Sequence, residues 1–167
     1  FRSSRQEGLV TGIQTGLIDF DELLDGGFQR GNLVVIGARP SMGKTALGMT
    51  VGLHIAEKHA VGLLSMEMPH NDVRDRQAAI LSSASLSMIK RPAKGLDYGR
   101  IVDGVERSKN LKFYVSDKSG LNILQVRSKI KPFTIILIEH EMGLIQRMTE
   151  RCIVLNYGKK IAEGTYD

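Results

Sequence analysis

The sequence predicts an α/β fold: a mainly parallel sheet flanked by helices and finished by an antiparallel hairpin. Three observations predict it. Short β-branched or aromatic runs alternate with helix-like stretches along most of the chain. A loop ending Gly43-Lys44-Thr45 lies between one such run and one such stretch, and Asn156-Tyr157-Gly158 separates the last two apolar runs with turn-forming residues. Strand-then-helix alternation favours right-handed crossovers, a parallel sheet and ligands at the carboxyl ends of the strands.

Strands are expected at Leu33–Ile36, Val61–Ser65, Leu111–Val115, Ile135–Ile138 and Ile153–Leu155. Each is short and apolar without alternation, as a strand covered on both faces should be. Thr45 to Glu57 reads as the first helix, with Leu47, Val51 and Ile55 on one face. Asn71 to Leu81 is the second, with Pro69 near its start. Leu96 to Arg107 and Leu121 to Ile130 are the third and fourth. At the end, Cys152–Leu155, the turn and Lys159–Ala162 form a hairpin expected to close one edge of the sheet. There is no internal repeat and no low-complexity tract.

The 167 residues, 42% of them hydrophobic, suit one domain, 1–167, with a real core. A single cysteine, Cys152 within an apolar run, excludes a disulfide framework and suits a reducing compartment, so a cytoplasmic location is expected. No segment approaches the ~20 apolar residues that cross a bilayer, and no signal-peptide core lies near the start. A chain opening on Phe1 is expected to be a piece of something longer. The net charge of +5 and pI near 9.4 suit anionic partners, although the basic residues are scattered rather than clustered.

The loop Arg39-Pro40-Ser41-Met42-Gly43-Lys44-Thr45-Ala46 carries the chemistry. Gly43 lets backbone N–H groups close around phosphate, Lys44 reaches the outer phosphates, and the Thr45 hydroxyl ligates magnesium. The helix that follows adds its positive N-terminal end. These eight residues are the expected contacts for ATP or another nucleoside triphosphate, with Thr45 on Mg²⁺. The general pattern G-x-x-x-x-G-K-[ST] is departed from at its first glycine, which is Ala38 here, with Gly37 one residue earlier.

Three further stretches narrow the family: Thr11-Gly12 through Asp19, Leu23 and Gly26-Gly27; Leu63-Leu64-Ser65-Met66-Glu67-Met68-Pro69; and Ser116-Asp117-Lys118-Ser119-Gly120-Leu121. With the phosphate loop they resemble the RecA-like motor domain of DnaB-type replicative DNA helicases over about residues 8 to 130. The resemblance implies a P-loop NTPase fold. It gives Lys44 and Thr45 phosphate and magnesium, and makes Glu67 the catalytic base that polarises the attacking water. A carboxylate leaving a buried parallel strand beside the phosphate loop suits that role; the alternative is that Glu67 caps the next helix. Asp117 ends a different strand and is expected to satisfy a turn rather than touch magnesium.

After Ile130 the resemblance changes. Phe133 to Ile145, with Glu139 and His140, and then Arg151 to Thr165, look like the end of an ABC-transporter ATPase of the branched-chain amino-acid importer type. There the histidine matching His140 contacts the γ-phosphate; a solvent-facing strand-end residue is the other reading. The expectation is a chimera of two P-loop proteins joined near Lys131-Pro132, lacking the Walker B aspartate that each family uses. If one strand is deleted, the Ile135 strand must pair between the phosphate-loop strand and the Val61 strand, since a gap would leave buried backbone groups unpaired. Glu139 and His140 would then project beside Lys44 and Thr45, with Glu139 on magnesium through a water.

The expected function is nucleotide binding by a domain derived from a helicase motor, with slow or no hydrolysis and no unwinding alone, because helicase-type hydrolysis needs a neighbour's arginine finger. The alternatives are a recombined scaffold without selected activity and, behind it, a transport ATPase. Single-stranded DNA is a weak expected partner, since Arg74, Arg76, Lys90 and Arg91 equally suit a solvated face. No membrane partner is expected, and oligomeric state is left open.

Overall fold

The computed structural model describes residues 12–30, 34, 36, 42–65, 68–91, 95, 97–117, 134–138, 152–156 and 159–164, the last three ranges as backbone. Along them run α1 (Ile18–Leu23), α2 (Lys44–Ile55), β1 (Val61–Ser65), α3 (His70–Ser82), α4 (Leu86–Lys90), α5 (Tyr98–Asn110), β2 (Phe113–Ser116), β3 (Thr134–Ile138), β4 (Cys152–Asn156) and β5 (Lys159–Gly164). The chain divides into two compact units, Ala38–Thr149 and Phe1–Gly37 with Glu150–Asp167.

The first unit is built on a three-stranded sheet in the order β2-β1-β3, parallel throughout. The central strand reads Val-Gly-Leu-Leu-Ser; Val61, Leu63, Leu64 and Ser65 are all buried, so both faces are covered, as a strand without alternation requires. In register, Leu63 faces Val115 on one side and Ile136 on the other. Met49 of α2, Leu63 of β1 and Val73 of α3 are fully buried together, with Met68, Ile80, Phe113 and Val115 packed around them. Apolar side chains on nearly all sides of α2 explain why Met49, Val51, Leu53 and Ile55 are all buried while Leu47, expected on the inner face, is only half-buried. Past the helix, Ala56 O accepts from Lys112 N at 3.2 Å and Val61 N donates to Lys112 O at 2.8 Å, which sets the start of β1 against β2.

Helices α3 and α5 meet at Gly104, which is buried on the otherwise exposed α5. A Cβ added there would stand 2.9 Å from Ser82 N and 3.1 Å from Ser82 Cβ, so only glycine allows this approach. The Arg107 guanidinium donates to Leu81 O, satisfying a carbonyl at the end of α3. The third helix starts two residues later than the sequence suggests because Asp97 is its cap, its carboxylate accepting from Arg100 N at 3.2 Å. The short α4 was not anticipated; Ser85 caps it, accepting from Met88 N at 3.3 Å. The expected helix Leu121–Ile130 lies outside the described residues.

In the second unit, α1 carries Asp19 and Asp21 in its first turn, which complements the helix dipole. Asp21 Oδ1 accepts from both Thr15 N at 2.8 Å and Thr15 Oγ1 at 2.7 Å, so the buried Thr15 hydroxyl is satisfied. Ile13 and Phe28 exchange two backbone hydrogen bonds of 2.8 Å. Phe20, Leu23, Phe28, Val34 and Ile36 pack on Leu24, the two phenylalanine rings edge to face.

Two strand expectations differ from the structure. Of the expected first strand only Val34 and Ile36 are described; neither belongs to a strand, and both pack their side chains on Leu24. The C-terminal hairpin forms as expected, β4 antiparallel to β5 with a register shift at Val154/Leu155, but the two strands make a sheet of their own instead of an edge of the parallel one. Backbone pairing between β4 and β5 satisfies the inner ladder, while among the described residues their outer edges bond to no other strand.

Candidate functional site

The site is built at the start of α2. Gly43, its N-cap, holds φ 84° and ψ 15°, and Leu47 N donates to Gly43 O at 2.9 Å, so the helix begins directly out of a left-handed turn. An ideal Cβ on Gly43 would meet nothing within 4 Å. It is the backbone conformation, not space, that favours glycine here. Lys44 and Thr45 are half-buried in the first turn, and Met42, Gly43 and Ala46 are exposed. No described side chain caps this helix, and no acidic residue stands in its first turn. A helix N-terminus whose first turn holds no acidic residue of its own is of the kind that suits an anion. Arg39, Pro40 and Ser41 lie outside the described residues.

The sheet ends beside one another in register: Leu64 pairs with Ser116, and Ser65 with Ile138. The carboxyl ends of β1, β2 and β3 thus form one edge, and α2 packs on both β1 and β3. Direct parallel pairing of β3 with β1 matches half of the arrangement expected for a sheet lacking one strand. The other half, pairing with the Leu33 strand, finds no strand at Val34 or Ile36 and otherwise falls outside the described residues. Glu67, Glu139 and His140 also lie outside them.

Sequence reasoning missed two contacts made by described residues after β1. Ser65, 1% exposed, donates its hydroxyl to Met68 O at 3.1 Å and accepts from Met68 N at 3.3 Å. A serine ending an apolar strand three residues before a pre-proline methionine is the available signal, because a hydroxyl there can close a local turn. At the far side, Asp117 Oδ2 accepts from His70 N at 3.0 Å. Pro69 is the N-cap of α3 and has no side-chain oxygen to offer, so the carboxylate arriving from β2 caps the helix instead. Asp117 was expected to satisfy a turn; what it satisfies is the first amide of a helix 47 residues earlier.

Among the described residues no group of His, Cys, Asp and Glu is placed to hold a metal, and no helix is long and apolar enough to cross a membrane. Of the scattered basic residues, Lys90 is paired with Asp72 at 2.5 Å, Arg74 and Arg91 are exposed, and Arg76 is half-buried.

Comparison with known proteins follows this geometry. The model of the DnaB-like helicase C-terminal domain matches residues 12–152. The replicative DNA helicase DnaB of Treponema pallidum is 36% identical over 127 residues, 74% of this chain and 29% of that protein. The DnaB helicase of Rhodothermus marinus is 33% identical over 144 residues, 83% of the chain and 15% of that protein. The chain therefore spans less than a third of either relative. Among solved structures, the ATPase domain of G40P superposes with a TM-score of 0.73 at 23% identity, covering 85% of this chain and 58% of that one. A DnaB-like replicative helicase studied with primase gives 0.71 at 23%, covering 85% and 39%. These likenesses establish the RecA-like P-loop NTPase fold. Because the family match takes in the glycine-lysine-threonine turn, the parallel sheet and the helices between them, the chain belongs to the DnaB-like helicase C-terminal domain family.

Proposed function

We propose that this chain binds ATP with Mg²⁺ at the N-terminus of α2. The observation that carries this reading is a helix opening from left-handed Gly43 with Lys44 and Thr45 in its first turn, a turn that contains no acidic residue of its own. The donor set fits a polyphosphate: backbone amides of the loop Arg39 to Gly43 and of Ala46, the Lys44 ammonium for the outer phosphates, and the Thr45 hydroxyl for the metal. Bound magnesium would neutralise charge between the phosphates. Glu67, two residues past β1, is the proposed base that orients water. His140 is proposed to reach the terminal phosphate and Glu139 the magnesium through a water, supported by the parallel pairing of Ile138 with Ser65 just before them in sequence.

Hydrolysis by the chain alone is proposed to be slow or absent, since β3 is followed by Glu139 where the helicase family has aspartate and no partner's arginine is supplied. The relatives are named replicative DNA helicases, so single-stranded DNA and assembly into an oligomer are proposed for the protein at work. Calorimetric titration with Mg-ATP tests the site: Lys44→Ala should weaken binding at least about tenfold, the worth of one charge-assisted contact. Unchanged affinity in that variant removes the site.

The chimera reading keeps one support, the likeness of residues 133 to 165 to the end of an ABC-transporter ATPase. Against it, the family match runs on past Lys131-Pro132 to Cys152, which leaves little beyond the helicase family for a second parent. A scaffold without activity would give no thermal shift with Mg-ATP.

A further inference from the structure

We propose that α5 carries a self-complementary docking face, on which a second copy of this chain pairs helix against helix, antiparallel, about a two-fold axis. The inference does not rest on the nucleotide site. Tyr98 is 61% exposed, Val102 56% and Val105 41%, and all three lie on α5. Their spacing of four and then three puts them on one face of the helix, and Lys109, exposed and four residues further on, continues that face. The stripe runs beside the line of Ile101, Gly104 and Ser108, whose members are buried or half-buried, with Gly104 against Ser82 of α3. The apolar side of α5 is therefore wider than the part that α3 covers, and burying the remainder is favourable.

The charges at the two ends of α5 select the occupant. Exposed Asp97 stands at its start, and Arg107 and Lys109 are in its last turn. Arg107 donates to Leu81 O, which leaves Lys109 as the cation on the stripe. Carboxylate, aromatic ring, two valines and ammonium thus follow one another along the helix. With the axis midway between Val102 and Val105, Val102 of each copy meets Val105 of the other. Lys109 of each then meets Tyr98 and Asp97 of the other, a cation over a ring and beside a carboxylate. The two helix dipoles also oppose, whereas parallel pairing would bring like charges together. Close packing at Gly104 and the Asp97 cap set the α5 backbone before a partner arrives, so pairing has only side chains to order.

Sedimentation equilibrium of the whole chain without nucleotide tests the pairing. One helix face is a small interface, so a monomer–dimer equilibrium with Kd of about 10⁻⁴ M is expected. Val102→Asp, which buries a carboxylate at the centre, should weaken the dimer at least about tenfold. Lys109→Glu sets carboxylate against carboxylate and should weaken it by roughly tenfold. Met88→Ser, at an exposed apolar residue of α4, should leave it unchanged. Carbodiimide coupling of mixed light and isotope-labelled chains should join Lys109 to Asp97 between copies. A chain that stays monomeric to about 1 mM, leaving the stripe for some other protein, overturns the proposal. So does an assembly that survives Val102→Asp, or a dimer in which Lys109 never couples to Asp97. Both substituted positions are exposed, and Lys109→Glu carries the test should circular dichroism show Val102→Asp unfolded.

Discussion

Gly43 sits at φ 84° with no atom near the place a Cβ would take. Its replacement therefore isolates backbone strain from crowding. Gly43→Ala should lower stability by roughly 1–2 kcal/mol, the cost of a left-handed conformation for an L-residue with a Cβ. Gly43→Asn should recover part of that, since asparagine tolerates this region. Urea midpoints of the two variants check it: equal midpoints would mean the turn is not left-handed in solution. At this scale the sequence was readable in the backbone of the motif, where Gly43 takes the left-handed turn and Lys44 and Thr45 open the helix. It was not readable where a role depends on a partner far along the chain. Nothing local says that Asp117 caps a helix starting 47 residues earlier, because that contact exists only once β2 lies beside β1.

Helix contacts give the next level its predictions. In a free helix Gly→Ala gains about 0.5–1 kcal/mol from propensity. At Gly104 the new Cβ would stand 2.9 Å from the Ser82 backbone nitrogen, which cannot swing aside as a flexible side-chain end can. Overpacking of this kind costs roughly 1–3 kcal/mol and should win. Gly104→Ala is expected to destabilise the protein by about 1 kcal/mol, and a gain in stability would show that α5 does not pack this closely on α3. Met49→Ala, which empties the centre of the α2–β1–α3 core, should cost roughly 2–5 kcal/mol by denaturant unfolding. Elements with strong local signals were found within a residue or two: α2, β1, α3 and β2. The start of α5 moved for a capping reason, Asp97 delaying it, while its end runs on to Asn110. The short α1 and α4 escaped because so few residues carry no periodicity to read. Val34 and Ile36 have the composition of a buried strand, and what the structure describes of them is that both are half-buried and pack on Leu24.

For the molecule as a whole, alternating strands and helices were enough to give the class, because only a parallel sheet covered on both faces suits a strand like Val61–Ser65. The change of resemblance after Ile130 finds no support in the comparisons, where the helicase family match continues to Cys152. What composition leaves open at this scale is whether the fold is coupled to a ligand. A ligand that binds only the native state stabilises it by RT ln(1 + [L]/Kd), about 2.7 kcal/mol at a hundred times Kd. A chain of this size gains roughly 2–4 °C per kcal/mol, so saturating Mg-ATP should raise the melting temperature by about 5–10 °C. The sign follows from the nucleotide site proposed at the start of α2: Lys44→Ala should abolish the shift, while Arg74→Ala, exposed and away from the first turn of α2 in sequence, should keep it. Differential scanning fluorimetry across a nucleotide series measures this directly, since a true site gives a shift that climbs with the logarithm of concentration. A rise that persists in Lys44→Ala would mean the nucleotide acts as a bulk polyanion on a chain of net charge +5 and not through the Gly43-Lys44-Thr45 turn.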